Sequence, residues 1–238
     1  MPKITIVETG LVSPERRARH GSFPQMFERL IGRADASASF ATVRLMDGER
    51  LPDPAGLQAI LITGSPAGVY DDLDWIAPLE RFVRAAYQAR IAMVGICFGH
   101  QLIAQALGGV MRKSEKGWGI GRHVYDVVPD NGAIDGERIA IACSHQDQVI
   151  EPPAGAKTIL HSAFTPHAGL LYQNGATLSV QPHPEFTSAF AHICCEKAGQ
   201  ASAPVPLVAT ARGSLEQPLD HADLGRAIAR FLARPRRA

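Results

Sequence analysis

The stretch Ile91-Ala92-Met93-Val94-Gly95-Ile96-Cys97-Phe98-Gly99-His100-Gln101 decides how this chain folds. Ile91–Ile96 is apolar throughout, as a strand buried on both faces of a parallel sheet must be. From Gln101 to Leu107 the pattern becomes helical, and Gly108-Gly109 stops the helix. A buried strand passing through a short turn into a helix is a building unit of an α/β sheet. The apolar run from Ile91 to Phe98 is far short of the ~18 residues that a membrane-spanning helix needs.

The flanking sequence repeats this alternation. Ile4–Val7, Ala41–Leu45 and Ala59–Ile62 read as short strands. Phe23–Ile31 reads as a helix, with Phe23, Met26, Phe27, Leu30 and Ile31 at helical spacing. Trp75–Ala89 reads as another, with Ile76, Leu79, Phe82, Val83 and Ala86 on one face. Strands alternating with helices predict an open α/β fold, a mostly parallel sheet flanked by helices. The second half reads as short strands at Arg122–Val128, Arg138–Ala142, Lys157–Leu160, Ala168–Tyr172 and Thr177–Val180. Asn174-Gly175 suits a hairpin. Residues 199–219 read as loop-rich. Leu224, Ile228, Phe231 and Leu232 form the stripe of a last helix. The tail Arg234–Arg237 reads as a solvated end.

Composition fits this picture. The 238 residues are 46% hydrophobic and 20% charged, with 24 Lys and Arg against 23 Asp and Glu. That balance excludes a disordered, coiled-coil or collagen-like chain. A net charge of +1 offers no global field to nucleic acid or to an anionic membrane. No linker splits the chain, so residues 1–238 are expected to form one domain. Four cysteines are too few for a disulfide framework. Lys3–Glu8 resembles a strand more than a signal peptide. The expected compartment is therefore the cytoplasm.

Gly95-Ile96-Cys97-Phe98-Gly99 has the strand–turn–helix context of a nucleophile elbow, with Cys in the usual Ser position. The two glycines remove side chains that would collide across the tight turn. The helix N-terminus behind Cys97 favours a thiolate, and the Phe98 N–H is free to bind an oxyanion. A thiolate nucleophile needs a base. Gln181-Pro182-His183-Pro184-Glu185-Phe186 supplies one, because each proline holds the residue before it extended. His183 and Glu185, two apart, then share a face, and the carboxylate can orient the imidazole.

These motifs carry a resemblance. The chain resembles the class I, triad-type glutamine amidotransferases in its Gly-Ile-Cys-Phe-Gly-His-Gln elbow and its Gln-Pro-His-Pro-Glu-Phe segment. Ile62-Thr63-Gly64-Ser65-Pro66 is a third match, spanned with the others over roughly residues 40 to 190. The resemblance implies a flavodoxin-like sheet and a γ-glutamyl thioester mechanism without a cofactor. It implies Cys97 as nucleophile, His183 as base and Glu185 as orienting acid. It implies oxyanion donors at Phe98 and at Gly64 or Ser65, and Gln101 as a holder of the glutamyl group. Ser65 stands where the family usually has a second glycine, and Pro182 where many members have Phe. Ser144-His145-Gln146-Asp147 resembles a Ser-His-x-Asp segment of the GMP synthetase branch. It either borders the substrate pocket, through Ser144 and His145, or is a polar turn before Val149.

Three functions compete. The leading one is a stand-alone thiol hydrolase acting on glutamine or a γ-glutamyl compound, a reading that the similarity of Ile62–Asp74 to the γ-glutamyl peptidase branch favours. The second is a glutaminase subunit that passes ammonia to a separate synthetase. Only about fifty residues follow Glu185, too few for an ATP-using acceptor domain. The third is a non-catalytic regulatory binding module, which the complete Cys-His-Glu set argues against. Other signals are weaker. Gly117–Gly121 precedes a strand and so is no dinucleotide fingerprint. His192, Cys194 and Cys195 match no zinc spacing, and no metal is expected. Arg16–His20 reads as a solvated loop or, since it follows the first strand, as a grip on a substrate carboxylate.

Overall fold

The computed structural model describes residues 3–235. In chain order its elements are β1 (Lys3–Glu8), α1 (Pro14–His20), α2 (Phe23–Ala34), β2 (Ser39–Arg44), β3 (Ala59–Ile62), α3 (Ile76–Gln88), β4 (Ala92–Ile96), α4 (Phe98–Ala106) and β5 (Val110–Lys113). There follow β6 (Gly119–Val127), β7 (Arg138–His145), β8 (Asp147–Glu151), β9 (Ala156–His161), β10 (Gly169–Tyr172), β11 (Thr177–Val180), α5 (Ser188–Ala201), α6 (Val205–Ser214) and α7 (His221–Leu232).

Nine strands form one sheet in the order β2-β1-β3-β4-β11-β10-β9-β6-β7, while β5 and β8 pair separately. From β2 to β11 every pairing is parallel. Beyond β11 the pairings are antiparallel, so only β10 and β6 run against the rest of the sheet. The period of two sorts each central strand between two cores. Ala59 and Leu61 of β3 pack with α2 and α7, and Ile60 and Ile62 pack with α3 and α4. Met93 of β4 faces the second core, and Val94 and Ile96 face the first. Both faces of β4 are covered by apolar side chains, which is why its sequence has no polar position.

The helices begin where local chemistry allows. Ser22 and Gln25 form a capping box at the start of α2, each accepting from the other's backbone N–H. Thr187 caps α5 by accepting the Phe190 N–H at 3.3 Å.

Several expectations need correction. Arg16–His20 is not a loop but most of α1, which Pro14 starts. Residues 199–219 are not loop-rich: α5 runs on to Ala201, and α6 follows. Their amphipathic patterns are weak because α5 buries mostly small residues, Ala191, Cys195 and Ala198 beside Phe190, and α6 buries only Ala211 while exposing Val205 and Ala209, so periodicity alone does not reveal them. Ser144 and His145 end β7 and do not form a turn. Of the basic tail, Arg236 and Arg237 lie outside the described residues. Arg234 is held, 4.4 Å over the Phe231 ring and donating to Gly132 O at 2.6 Å. Among the described residues no helix is long and apolar enough to cross a membrane.

Candidate active site

Cys97 stands between β4 and α4 with φ 52° and ψ −102°. A non-glycine residue in that conformation costs roughly 1–3 kcal/mol and persists only when its surroundings over-determine it. They do so here. The Cys97 N–H donates to Val180 O at 2.9 Å, and its carbonyl accepts the Gln101 N–H at 3.0 Å. A Cβ on Gly95 would stand 2.4 Å from Gly99 O, and one on Gly99 would stand 2.5 Å from Ile62 O. Both glycines are therefore demanded by close backbone approach, not by flexibility. The Gly99 N–H bonds Thr63 O at 3.2 Å. The Phe98 N–H, first in the helix, has no intrahelical partner to find.

His183 and Glu185 enter from the end of β11. His183 N–H donates to Ala142 O at 2.9 Å, which holds the segment against β7. Its Nδ1 lies 2.7 Å from Glu185 Oε1, and its ring stacks on Phe186 at 4.0 Å. The two side chains are 5% and 0% exposed. Burial pushes the imidazole towards neutrality, but the Glu185 carboxylate and the Cys97 sulfur outweigh it and raise its pKa.

Gly64 bounds the space that these groups share. A Cβ there would stand 2.9 Å from His183 Cε1 and 3.6 Å from Cys97 Cβ. Its carbonyl is held from the opposite side. Thr9 Oγ1 lies 3.2 Å from Gly64 O and 3.0 Å from Thr63 O, and Thr63 Oγ1 lies 3.2 Å from Gly64 O. In a trans peptide the N–H points opposite to the carbonyl. The Ser65 N–H therefore faces away from Thr9 and Thr63. The Ser65 hydroxyl accepts the Ala67 N–H at 3.2 Å and turns the following loop.

A pocket of about 520 Å³ opens over Cys97. Ser65, Gln101, Ser144 and His145 line it, as do Tyr70 and Asp147. Tyr70 Oη donates to Asp147 Oδ2 at 2.9 Å, joining the loop after Ser65 to the start of β8. The structure thus brings the elbow, the His-Glu pair, the Gly64-Ser65 peptide and the Ser144–Asp147 segment together. Gln101 lines the pocket and is itself held in place. Its Nε2 donates to Asp147 O at 2.8 Å and to Gln181 Oε1 at 3.0 Å, so it braces the pocket. Gln181 in turn donates to Cys97 Sγ at 3.4 Å. Sequence reasoning missed Gln181, although its position two residues before His183 places it on the same face. It also missed Thr9, for which no local signal exists, and the part played by Thr63, which stands inside the third matching stretch.

His145 is unlike His183. Burial, with help from nearby imidazoles, lowers its pKa to about 3. Among the described residues no group of three or more His, Cys, Asp or Glu gathers to hold a metal. His192 faces Glu216 at 3.6 Å instead.

An open sheet with parallel central strands, helices on both faces and a cysteine on the turn after a middle strand defines a flavodoxin-like α/β protein. Within that class, the chain belongs to the class I glutamine amidotransferase family, whose description, glutamine amidotransferase class-I, matches residues 21–192. A glutamine amidotransferase-like protein of Schizosaccharomyces pombe is 32% identical over 139 residues, 57% of this chain and 56% of that one. The chain thus spans little more than half of that relative's length. Gamma-glutamyl peptidase 4 of Arabidopsis thaliana is 30% identical over 70% of this chain and 69% of its own. A glutamine-hydrolyzing GMP synthase subunit of Saccharolobus solfataricus is 28% identical over 53% of this chain and 66% of its own. The crystal structure of a glutamine amido transferase from Methylobacillus flagellatus superposes with a TM-score of 0.78 at 20% identity, covering 98% of this chain and 93% of that one. At that identity it speaks for the fold alone.

Proposed function

We propose that the chain hydrolyses the γ-amide of glutamine or of a related γ-glutamyl compound through a γ-glutamyl thioester on Cys97. One observation carries this reading: Cys97, held in its strained turn, shares one buried space with the His183–Glu185 pair at the floor of a pocket.

His183 takes the thiol proton through Nε2 while Glu185 holds Nδ1. The sulfur attacks the γ-carbonyl carbon, and the oxygen that becomes anionic accepts from the Phe98 N–H and from the Gly64-Ser65 side of the site. The C–N bond then breaks, and the leaving nitrogen takes the proton from His183. A water gives a proton to His183 and attacks the thioester. The C–S bond breaks, glutamate leaves, and the sulfur recovers its proton. No cofactor is needed.

The glutamyl head needs partners for an ammonium and a carboxylate. Asp147 Oδ1 is buried with no hydrogen-bond partner. Lys113 stands directly across from Asp147 in the β5–β8 ladder, and both line the pocket. Asp147 would receive the ammonium and Lys113 the carboxylate, with Ser144 and His145 beside them. This fixes the γ-carbonyl against the sulfur.

A second reading, a glutaminase subunit serving a separate synthetase, is favoured by the GMP synthase relative of Saccharolobus solfataricus, itself one subunit of its enzyme. Glutamate release from glutamine and from a small γ-glutamyl panel, by the purified chain without ATP, separates the two. Turnover that Cys97→Ser abolishes supports the hydrolase. No turnover, with Cys97 still selectively alkylated, points to the dependent subunit. No turnover and no selective alkylation points to a binding module.

A further inference from the structure

We infer that the wall of this pocket formed by α5 and Trp118 is a leaving-group subsite, and that it selects γ-glutamyl amides of apolar amino acids with a free carboxylate. The inference rests on the hydrolase reading and extends it to the other side of the scissile bond.

At about 520 Å³ the pocket is of the size that encloses a drug-like ligand. A five-carbon glutamyl group does not fill it, and ammonia, the leaving group from glutamine, needs no further wall. Yet one exists. Trp118 lies along the pocket, and its Nε1 donates to Ser202 Oγ at 2.9 Å, which fixes the indole against the end of α5. Cys194, Ala198 and Ala201 of α5 continue this surface. An anchored indole beside small side chains is a platform for an apolar or aromatic body.

The charges are sorted as well. Asp71, Asp147 and Lys113 line the pocket on the side of the Ser65 loop and the β5–β8 ladder, where Lys113 is taken by the glutamyl carboxylate, while Lys197 lines it on α5. Glu196, next to Lys197, is engaged by Arg212 at 3.3 Å. Lys197 itself has no ion pair among the described residues. With Asp147 and Lys113 occupied by the glutamyl head, an anion on the departing amine is drawn to Lys197, the pocket-lining lysine left over. The α-carboxylate of an amino acid, two bonds from the nitrogen that leaves, is such an anion.

The test compares γ-glutamylphenylalanine with γ-glutamylphenylalanine amide, which differ only in that charge. In the wild-type chain the free acid should have the higher kcat/KM. In Lys197→Gln the ratio of acid to amide should fall roughly three- to tenfold, the range for losing one partly exposed charge-assisted contact. Equal values for acid and amide in the wild type, or a ratio that Lys197→Gln leaves intact, would overturn the subsite. If the wild-type chain hydrolyses neither compound, the hydrolase reading falls, and calorimetric binding to Cys97→Ala decides the subsite by itself. Tighter binding of the acid that Lys197→Gln cancels upholds it, and equal binding of the two removes it.

Discussion

The His183 ring lies flat on the Phe186 ring, with centroids 4.0 Å apart and planes within 5°. Phe190 and Phe23 brace Phe186 from behind at 4.7 Å and 6.2 Å. The stack fixes the plane of the imidazole, and the Glu185 bond fixes its rotation, so Nε2 is the nitrogen left for the sulfur. Phe186→Leu keeps an apolar filling but removes the flat support. It should lower kcat for glutamate release by about tenfold with little change in KM, because a loosely held base is misaligned only in the reacting geometry.

Cys97 should be the thiol that reacts first. Burial raises the pKa of Cys143, Cys194 and Cys195, which keeps these three thiols protonated. Brief substoichiometric iodoacetamide followed by peptide mass spectrometry should find the label on Cys97. Preferential labelling of any other cysteine would count against the elbow.

His183→Asn should lower thioester formation by at least about 10³-fold, since the thiol loses its acceptor and the leaving amine its donor. Glu185→Gln should be milder, at about 10²-fold, because an acceptor oxygen for Nδ1–H remains while the charge is lost. Single-turnover release of the amine measures both. Full activity in His183→Asn would place the base elsewhere, and His145 would be the next group to replace.

The raised pKa of His183 has a consequence for stability. Burial opposes the charge, but Glu185 and Cys97 prevail, so the folded imidazole holds its proton more tightly than an unfolded one with its ordinary value near 6.5. Its contribution is therefore complete below about pH 6.5 and is lost as pH rises towards the folded value. Urea denaturation should show the stability advantage of the wild type over Glu185→Gln to be largest at pH 6 and to shrink steadily at higher pH. An advantage that grew with pH would contradict the charged pair.

Thr9→Val should damage the reaction without disturbing the nucleophile. It removes the hydroxyl that contacts Thr63 O and Gly64 O, and with it the restraint on the Gly64-Ser65 peptide. Loss of an oxyanion donor typically costs about 10²–10³ in kcat; a misaligned one should cost about 10-fold to 10²-fold. Selective alkylation of Cys97 should survive. A variant with wild-type kcat would show that this peptide does not serve the oxyanion.

What sequence alone determined was whatever depends on neighbours in the chain. Ile91–Ile96 had to be a buried strand because no position in it offers a polar face. Gly95 and Gly99 had to flank a tight turn at Cys97. The prolines marked the segment around His183 as constrained, but it is not extended: Pro184 and Glu185 form a turn closed by the Phe186 N–H on His183 O at 3.3 Å, and that turn brings the carboxylate back to the imidazole. Tertiary structure alone decided how distant segments meet. Thr9 lies 54 residues before Thr63, yet β1 and β3 are adjacent strands, and their carboxyl ends share one hydroxyl network. Gln181 reaches Cys97 because β11 pairs with β4, a contact across 84 residues. Helices α5 and α6 escaped a reading by periodicity because small residues make up most of the buried face of α5, and α6 buries only Ala211. Short-range sterics and hydrogen bonding write themselves into adjacent residues, whereas strand order is set by the packing of the whole sheet and leaves no mark on any single segment.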